Sequence, residues 1–314
     1  MTSTSAVLPL QLPSPSVGLN VLKQIEETTV SGGSQSIIRQ ESSKTLILYL
    51  IRHGEASHNV LEKIAKTRAK EECIAEGYAP DSPEVKQAME EARKGVLHDT
   101  NLFDASLSDL GRDEATTASK QLQELVAQKG LIPPEEILVS PLTRTLETAD
   151  LIFPDHANIR VREELRERQT GLPPDSRRST ASLRRRPTFH RFSMSRIRLQ
   201  SILNFELPQF AKLFLGDDSD KDDDFLNCDS SNTMIEESEE DKQMLRKRTE
   251  KLFELLGESD YSSLAIVTHK GYLRELERGQ FEQPDAKEFN NCEVRVYRVT
   301  MGADKALECA ERIA

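Results

Sequence analysis

Six consecutive apolar residues at positions 46–51 end abruptly in the triplet Arg52-His53-Gly54. An apolar run of this length with high β-propensity predicts a strand that is buried on both faces, as in a parallel sheet. Such a strand carries the residues that follow it to the carboxyl edge of the sheet, where open α/β sheets bind their ligands. A cation and an imidazole delivered to that edge indicate a site of chemistry.

Two later segments repeat this arrangement of a short apolar run followed by a helical pattern. Residues 137–139 precede a predicted helix with Arg144 in its first turn, and residues 264–267 lead to His269. An arginine beside the unpaired N–H groups of a helix start suits a phosphate group. Because the carboxyl ends of parallel strands share one edge, we expect His53, Arg144 and His269 to line a single crevice of an α/β sheet.

Helical patterns occupy much of the remaining sequence. Apolar positions at helical spacing within 59–94 predict two helices, divided at Pro80 and Pro83 because proline is tolerated at a helix start and not inside. Ser108 is the expected N-cap of a third helix that runs to about Gln128. Acidic residues follow Ser108 closely, which suits the positive end of a helix.

Residues 1–43 are rich in Ser, Thr, Pro and Gly and lack periodicity, which predicts a disordered leader. The first 22 residues hold no Asp or Glu, as in an organelle transit peptide, but they also hold no Arg or Lys, which argues against one. We expect the rest, 44–314, to form one domain with three additions: a helical insert at about 59–100, an arginine-rich cap at about 160–215 and an acidic loop at about 216–241.

Composition argues against several classes of protein. The net charge of −11 argues against a nucleic-acid partner, and no apolar run approaches the roughly 18 residues of a membrane span. The N-terminus also lacks the pattern of a secretory signal. Four cysteines lie far apart without a C-x-x-C pair, so neither a zinc site nor a disulfide framework is indicated. A cytoplasmic, reduced location is expected.

Arginine pairs and triplets are frequent in the predicted cap. Arg177 and Arg178 follow a proline-rich loop segment, which favours a role for both in contacting an anionic substrate. For the triplet at 184–186, a functional role is as compatible with the sequence as a bland one, in which the arginines face water or pair with the acidic loop.

Five motifs, in this order along the chain, resemble the signature set of the histidine phosphatase superfamily, which has the phosphoglycerate mutase-like fold. They cover roughly residues 46–300 and read Arg52-His53-Gly54-Glu55, Leu107-Ser108-x-x-Gly111, Ser140-Pro141-Leu142-x-Arg144-Thr145-x-x-Thr148-Ala149, Leu165-Arg166-Glu167 and Val267-Thr268-His269-x-Gly271. A narrower resemblance, to the phosphoglycerate mutase-like proteins of plants and fungi, rests on His58-Asn59, the loop at 171–179 and Asn291-Cys292-Glu293.

The superfamily resemblance implies a three-layer α/β/α fold with a mostly parallel central sheet. It also implies that His53 is a nucleophile that forms a phosphohistidine, while Arg52, Arg144 and His269 bind the equatorial oxygens of the phosphate. That arrangement requires no metal, and no other cofactor is expected. The expected ligand is a small phosphorylated metabolite; nucleic-acid and membrane partners are not expected.

The same resemblance assigns the proton donor. Glu167 is the acid of the Leu-x-Glu motif, and a carboxyl group that protonates a leaving oxygen needs a raised pKa. Glu163 and Glu164 are near enough in sequence to compete for that role. Asn59 is a candidate hydrogen-bond donor to the phosphate.

Departures from the mutase pattern bear on the reaction. Cofactor-dependent mutases have an Arg-His-Tyr-Gly sequence after the acid, where this chain has Arg-Gln-Thr-Gly at 168–171. After the nucleophile they have a Trp-Asn pair, where this chain has His58-Asn59; it contains no tryptophan. Hydrolysis of small anionic phosphomonoesters is therefore favoured over phosphoryl transfer within a sugar acid. A weakly active phosphate-binding or scaffold protein is the third alternative, and the intact motif residues argue against it.

Overall fold

The computed structural model describes residues 43–195 and 242–314. The predicted leader, apart from its last residue, the acidic loop and the end of the predicted cap lie outside the described residues.

A mixed sheet forms the centre of the described structure. In chain order its strands are β1 (Lys44–Arg52), β2 (Glu136–Val139), β3 (Ile159–Val161), β4 (Phe192–Ser193), β5 (Ser263–Thr268), β6 (Val294–Met301) and β7 (Leu307–Arg312). The spatial order is β4-β3-β2-β5-β1-β6-β7. The first five of these positions are parallel neighbours, β6 runs antiparallel to β1, and β7 runs antiparallel to β6.

The central strands are buried on both faces, as the uninterrupted apolar runs predict. Along β1, Leu48 and Leu50 join one core cluster, whereas Tyr49 and Ile51 join the other. This division follows from the alternation of side chains along a strand, since successive residues point to opposite faces. Each face therefore needs its own layer of helices.

Seven α-helices are described around this sheet: α1 (Ser57–Ala75), α2 (Pro83–Leu97), α3 (Asp109–Lys129), α4 (Thr143–Ile152), α5 (Thr180–Arg184), α6 (Lys242–Glu258) and α7 (Lys270–Glu275). Helices α3 and α4 contribute to the core on one face, and α6 and α7 to the core on the other. The predicted three-layer α/β/α architecture is confirmed. Among these described helices, none is long and apolar enough to cross a membrane.

The predicted helix boundaries agree with the structure. The break at Pro80 and Pro83 separates α1 from α2, and Ser108 caps α3 by accepting a hydrogen bond from the Gly111 N–H at 3.0 Å. At the other end of α3, Gly130 has a φ of 59°, in the left-handed region that glycine adopts without strain.

A close backbone contact fixes the start of α3 against the loop that follows β1. A Cβ atom built on Gly111 would lie 2.1 Å from the Glu55 carbonyl oxygen, and one built on Gly54 would lie 2.6 Å from the Gly111 oxygen. The Ser108 N–H also donates to the Glu55 carbonyl at 2.9 Å. The contact requires glycine on both sides, and it holds the backbone directly after His53.

We expect Gly111→Ala to lower the free energy of unfolding by about 1–3 kcal/mol, because the new methyl group would overlap backbone that cannot move aside. Gly95→Ala is the matched control, since Gly95 lies within α2 and a Cβ there meets no atom within 4 Å. The control is expected to stabilise the protein by about 0.5–1 kcal/mol. Urea denaturation measures both, and equal effects would contradict the proposed contact.

Candidate active site

Three strand ends meet at one edge of the sheet. In the register of β1 with β5, Arg52 lies opposite Thr268, so His53 and His269 follow at neighbouring positions. Their ring centroids are 5.1 Å apart, with an angle of 62° between the planes. Strand β2 lies on the other side of β5, and the helix after it, α4, places Arg144 in the same crevice.

The geometry of His53 determines which of its ring nitrogens carries the proton. Nδ1 lies 2.7 Å from the Gly54 carbonyl oxygen, which can only accept a hydrogen bond, so Nδ1 is the protonated nitrogen. The pKa of His53 lies well below its ordinary value because the ring is buried and because Arg144 and Arg52 repel a second positive charge. At neutral pH the ring is therefore uncharged, with a lone pair on Nε2.

His269 is fully buried beside His53. Its Nε2 lies 2.7 Å from Ser140 Oγ, and its Nδ1 has no hydrogen-bond partner among the described residues. Burial, followed by the charge of Arg144, lowers its pKa well below the ordinary value. Ser140 directly follows β2, and its contact with His269 could not be predicted from the sequence because the two residues lie far apart in the chain.

Arg144 is 1% exposed, and two residues of a neighbouring loop hold its guanidinium group. Its Nη1 donates to the Pro174 carbonyl at 2.6 Å, and its Nη2 donates to Asp175 Oδ1 at 2.8 Å. Its buried Nε–H has no partner among the described residues, and the same is true of the Nε–H of Arg52. A buried donor without an acceptor costs about 1–3 kcal/mol, so two of them at one site indicate a place for an anion.

A layer of buried side chains supports Arg52. Its Nη1 donates to the Phe289 carbonyl at 2.7 Å. The Arg295 guanidinium lies 3.7 Å from the centre of the Phe289 ring, and it forms two hydrogen bonds to Glu277, at 2.9 and 2.7 Å. Arg295 Nε also donates to Glu293 Oε1 at 2.7 Å. These contacts fix the loop that presents the Phe289 carbonyl to Arg52.

Glu167, the predicted proton donor, lines the crevice together with His53. It accepts hydrogen bonds from the Arg168 N–H at 2.9 Å and from the Gly271 N–H at 3.3 Å. Burial, and then the negative charge of Asp175, raises its pKa. A Cβ built on Gly271 would lie 2.3 Å from Glu167 Oε1, so the carboxyl group occupies space that any other residue there would fill.

Glu163, one of the two competing acids, and the two cap arginines form other contacts. Glu163 lies 3.1 Å from Arg177 Nε, in a pair whose side chains are 10% and 7% exposed. Arg178 lies over the Phe103 ring and 3.5 Å from Asp104 Oδ2. Neither arginine is among the described residues that line the crevice. Their interpretation as substrate ligands is not supported by this placement.

The first turn of α1 contributes two more residues to the crevice. Asn59 lines it and accepts a hydrogen bond from the Ala56 N–H at 3.2 Å through Oδ1, which leaves its amide N–H groups available as donors. His58 is buried beside it; burial, and then Arg144, lowers the pKa of His58 to about 3, although Asp175 opposes the shift. The structure thus places both residues of the His58-Asn59 motif in the crevice.

The crevice has a volume of about 860 Å³. Nine cationic and four acidic side chains line it; the cations are Arg52, Lys66, Arg93, Lys94, Arg144, Arg168, Lys242, Lys270 and Arg274, and the acids are Glu62, Glu90, Glu167 and Asp175. Its charge is thus opposite in sign to that of the whole chain. Among the described residues, no group of three or more His, Cys, Asp or Glu side chains could hold a metal ion.

Comparison with known families agrees with this site. The family model of the histidine phosphatase superfamily (branch 1) matches residues 93–199, about a third of the chain, which include Arg144 and Glu167. The resemblance that the motifs indicate is thereby confirmed at the level of the superfamily, and it supports an enzyme that acts on phosphate esters. The narrower resemblance to plant and fungal proteins stays a prediction. A comparison with curated protein sequences gives no match.

Solved structures of similar fold include three from different organisms. A mycobacterial glucosyl-3-phosphoglycerate phosphatase is 16% identical, over 86% of this chain and 96% of that one, with a TM-score of 0.41. A phosphoserine phosphatase from Entamoeba histolytica is 17% identical, over 80% and 89%, with a TM-score of 0.40. YhfR from Bacillus stearothermophilus is 16% identical, over 84% and 94%, with a TM-score of 0.44. Likenesses this distant say nothing about the substrate of this chain.

The three buried histidines predict a loss of stability in acid. Their pKa values are lowered in the folded state, so the unfolded chain binds more protons below the ordinary value of 6.5. Stability therefore falls as the pH falls from 6.5 toward the folded pKa, which is about 3 for His58. By linkage, His58 alone should cost about 2 kcal/mol between pH 6.5 and about pH 5.

Urea denaturation at about pH 7 and about pH 5 checks this prediction, with His58→Gln expected to remove about 2 kcal/mol of the difference between the two pH values. His190→Gln is the control, because the His190 ring is exposed in the folded structure. An unchanged pH dependence in His58→Gln would show that this ring is not held neutral by the fold.

Proposed function

We propose that the protein hydrolyses phosphomonoesters of small anionic metabolites through a phosphohistidine intermediate on His53. The hydrogen bond from His53 Nδ1 to the Gly54 carbonyl carries this proposal, because it leaves Nε2 unprotonated in a buried, cationic crevice. A nucleophile for phosphorus needs such a lone pair at neutral pH.

In the first step, His53 Nε2 attacks phosphorus in line while the bond between phosphorus and the ester oxygen breaks. Burial and the charge of Asp175 raise the pKa of Glu167 and so favour its protonated form, which donates its proton to that oxygen; the leaving group departs as an alcohol. The Nε–H groups of Arg52 and Arg144 and the ring of His269 bind the equatorial oxygens, where the negative charge is spread.

In the second step, water attacks the phosphohistidine. The Glu167 carboxylate takes a proton from this water, the bond between phosphorus and Nε2 breaks, and the electron pair returns to His53. Inorganic phosphate leaves, and both residues regain their starting protonation states. The two guanidinium groups supply the charge neutralisation at the transferred phosphate.

Hydrolysis is favoured over transfer because the chain lacks the features with which mutases retain an intermediate. His58 and Asn59 stand where the mutase pattern has Trp-Asn, and the crevice of about 860 Å³ that they line leaves ample room for water. A mutase must protect its phosphohistidine from water until the second hydroxyl group is in place.

We expect His53→Ala to lower the turnover of p-nitrophenyl phosphate by about 10³-fold or more, in the presence of a chelator, because the nucleophile is lost. When the wild-type protein is quenched during turnover of a ³²P-labelled ester, it should carry acid-labile covalent label from the phosphohistidine. The His53→Ala protein should lack this label. His190→Ala, which removes an exposed histidine, should retain both activity and label.

Unchanged turnover in His53→Ala would overturn the proposal, and an inactive wild-type protein would favour the phosphate-binding alternative. Assays of phosphorylated sugar acids for free phosphate and for isomerised product decide between hydrolysis and mutase chemistry. Isomerised product in excess of free phosphate would establish the mutase.

Glu167→Gln tests the proton donor through the leaving group. For glycerol phosphate, whose alkoxide must be protonated, we expect kcat to fall about 10²-fold or more. For p-nitrophenyl phosphate, whose phenolate leaves without a proton, the fall should be less than about tenfold. Glu164→Gln is the neighbouring control, and equal losses on the two esters in Glu167→Gln would remove Glu167 from this role.

A further inference from the structure

We propose that the crevice contains a second anion subsite, formed by Lys66 of α1 and Lys94 of α2, that binds a second phosphate group of the substrate. The inference rests on the proposed function, since it assigns the reacting phosphate to His53. It defines the substrate as a bisphosphorylated metabolite with one phosphate at each end.

The α1 helix leads from the reacting site to this subsite. His58, Glu62 and Lys66 are spaced four residues apart, so they follow one face of the helix, and all three line the crevice. At 1.5 Å per residue, the eight residues from His58 to Lys66 span about 12 Å along the helix axis. Lys66 therefore reaches the crevice about two helical turns away from His58, at a point separate from the reacting site.

The α2 helix completes the wall of the subsite. Arg93 Nε donates to Glu62 at 3.0 Å, and this contact fixes α2 against α1. Lys94, the next residue, lines the same crevice. The two lysines therefore reach the crevice from adjacent helices that an ion pair holds together.

Among the described residues, most of the other cationic side chains that line the crevice pair with a carboxylate, whereas these two lysines do not. Arg93 is neutralised by Glu62 and Glu90, and Glu288 pairs with Lys270 and Arg274. Lys66 and Lys94 line the crevice without a carboxylate partner in the part of the chain that the structure describes. Two uncompensated ammonium groups on a concave wall attract an anion.

The charge of the crevice also exceeds what one phosphate needs. With Glu167 protonated, as the proposed first step requires, the lining carries a formal excess of six positive charges, and Glu288, just outside, offsets one of them. A reacting phosphate dianion leaves about three charges uncompensated, and a second phosphate dianion offsets about two of these. A single carboxylate would offset only about one.

Binding to the full-length His53→Ala protein tests the subsite without turnover. Isothermal titration would compare fructose 6-phosphate with fructose 1,6-bisphosphate, which differ by one phosphate. We expect the bisphosphate to bind at least about tenfold more tightly, and this preference should shrink as salt is added. In Lys66→Gln/Lys94→Gln the preference should fall to within about threefold.

Lys63→Gln/Lys70→Gln is the matched control, because both lysines lie on α1 outside the crevice lining and the change in charge is the same. It should retain the preference for the bisphosphate. Glucose 6-phosphate and 6-phosphogluconate form a second pair of ligands, which differ by a carboxylate. We expect a smaller difference in affinity for this pair than for the first.

The subsite is overturned if the bisphosphate shows no preference, or if Lys66→Gln/Lys94→Gln and the control lose it equally. The assignment to phosphate would be overturned if 6-phosphogluconate bound more tightly than glucose 6-phosphate while the bisphosphate showed no preference. Failure of the proposed function has a different signature: the wild-type protein would bind the bisphosphate in a lysine-dependent way and yet release no phosphate from any ester.

Discussion

The parallel pairing of β1 with β5 is the constraint on which the site depends. It sets Arg52 opposite Thr268, so the residue after each strand, His53 or His269, is delivered to the same point. Both strands are buried on both faces, and a shift of one residue in either would exchange its two sets of apolar side chains between the cores. The packing that stabilises the sheet therefore also fixes the distance between the two rings.

The buried arginines beside the two rings are held in place by hydrogen bonds to neighbouring loops. Arg52 is supported through the Phe289 carbonyl, and Arg144 by the Pro174 carbonyl and Asp175. Burying a cation is costly unless hydrogen bonds compensate it, and these contacts supply that compensation before any ligand arrives. The guanidinium groups are thus preorganised, which electrostatic stabilisation of a phosphoryl group requires.

The strand ends could be predicted because local patterns determine them. Apolar runs and the residues that follow them predicted the sheet, its three junctions and the positions of His53, Arg144 and His269. Contacts between distant segments could not be predicted in this way. Arg177 and Arg178 resemble substrate ligands in the sequence, but their partners Glu163 and Asp104 lie elsewhere in the chain, and only the fold brings these charges together.

The ion pair between Arg144 and Asp175 has a consequence for product inhibition. Asp175 already satisfies part of the charge of Arg144, so inorganic phosphate left in the crevice meets a weaker attraction than an unpaired arginine would provide. In the proposed hydrolysis, this carboxylate therefore limits how long inorganic phosphate stays bound.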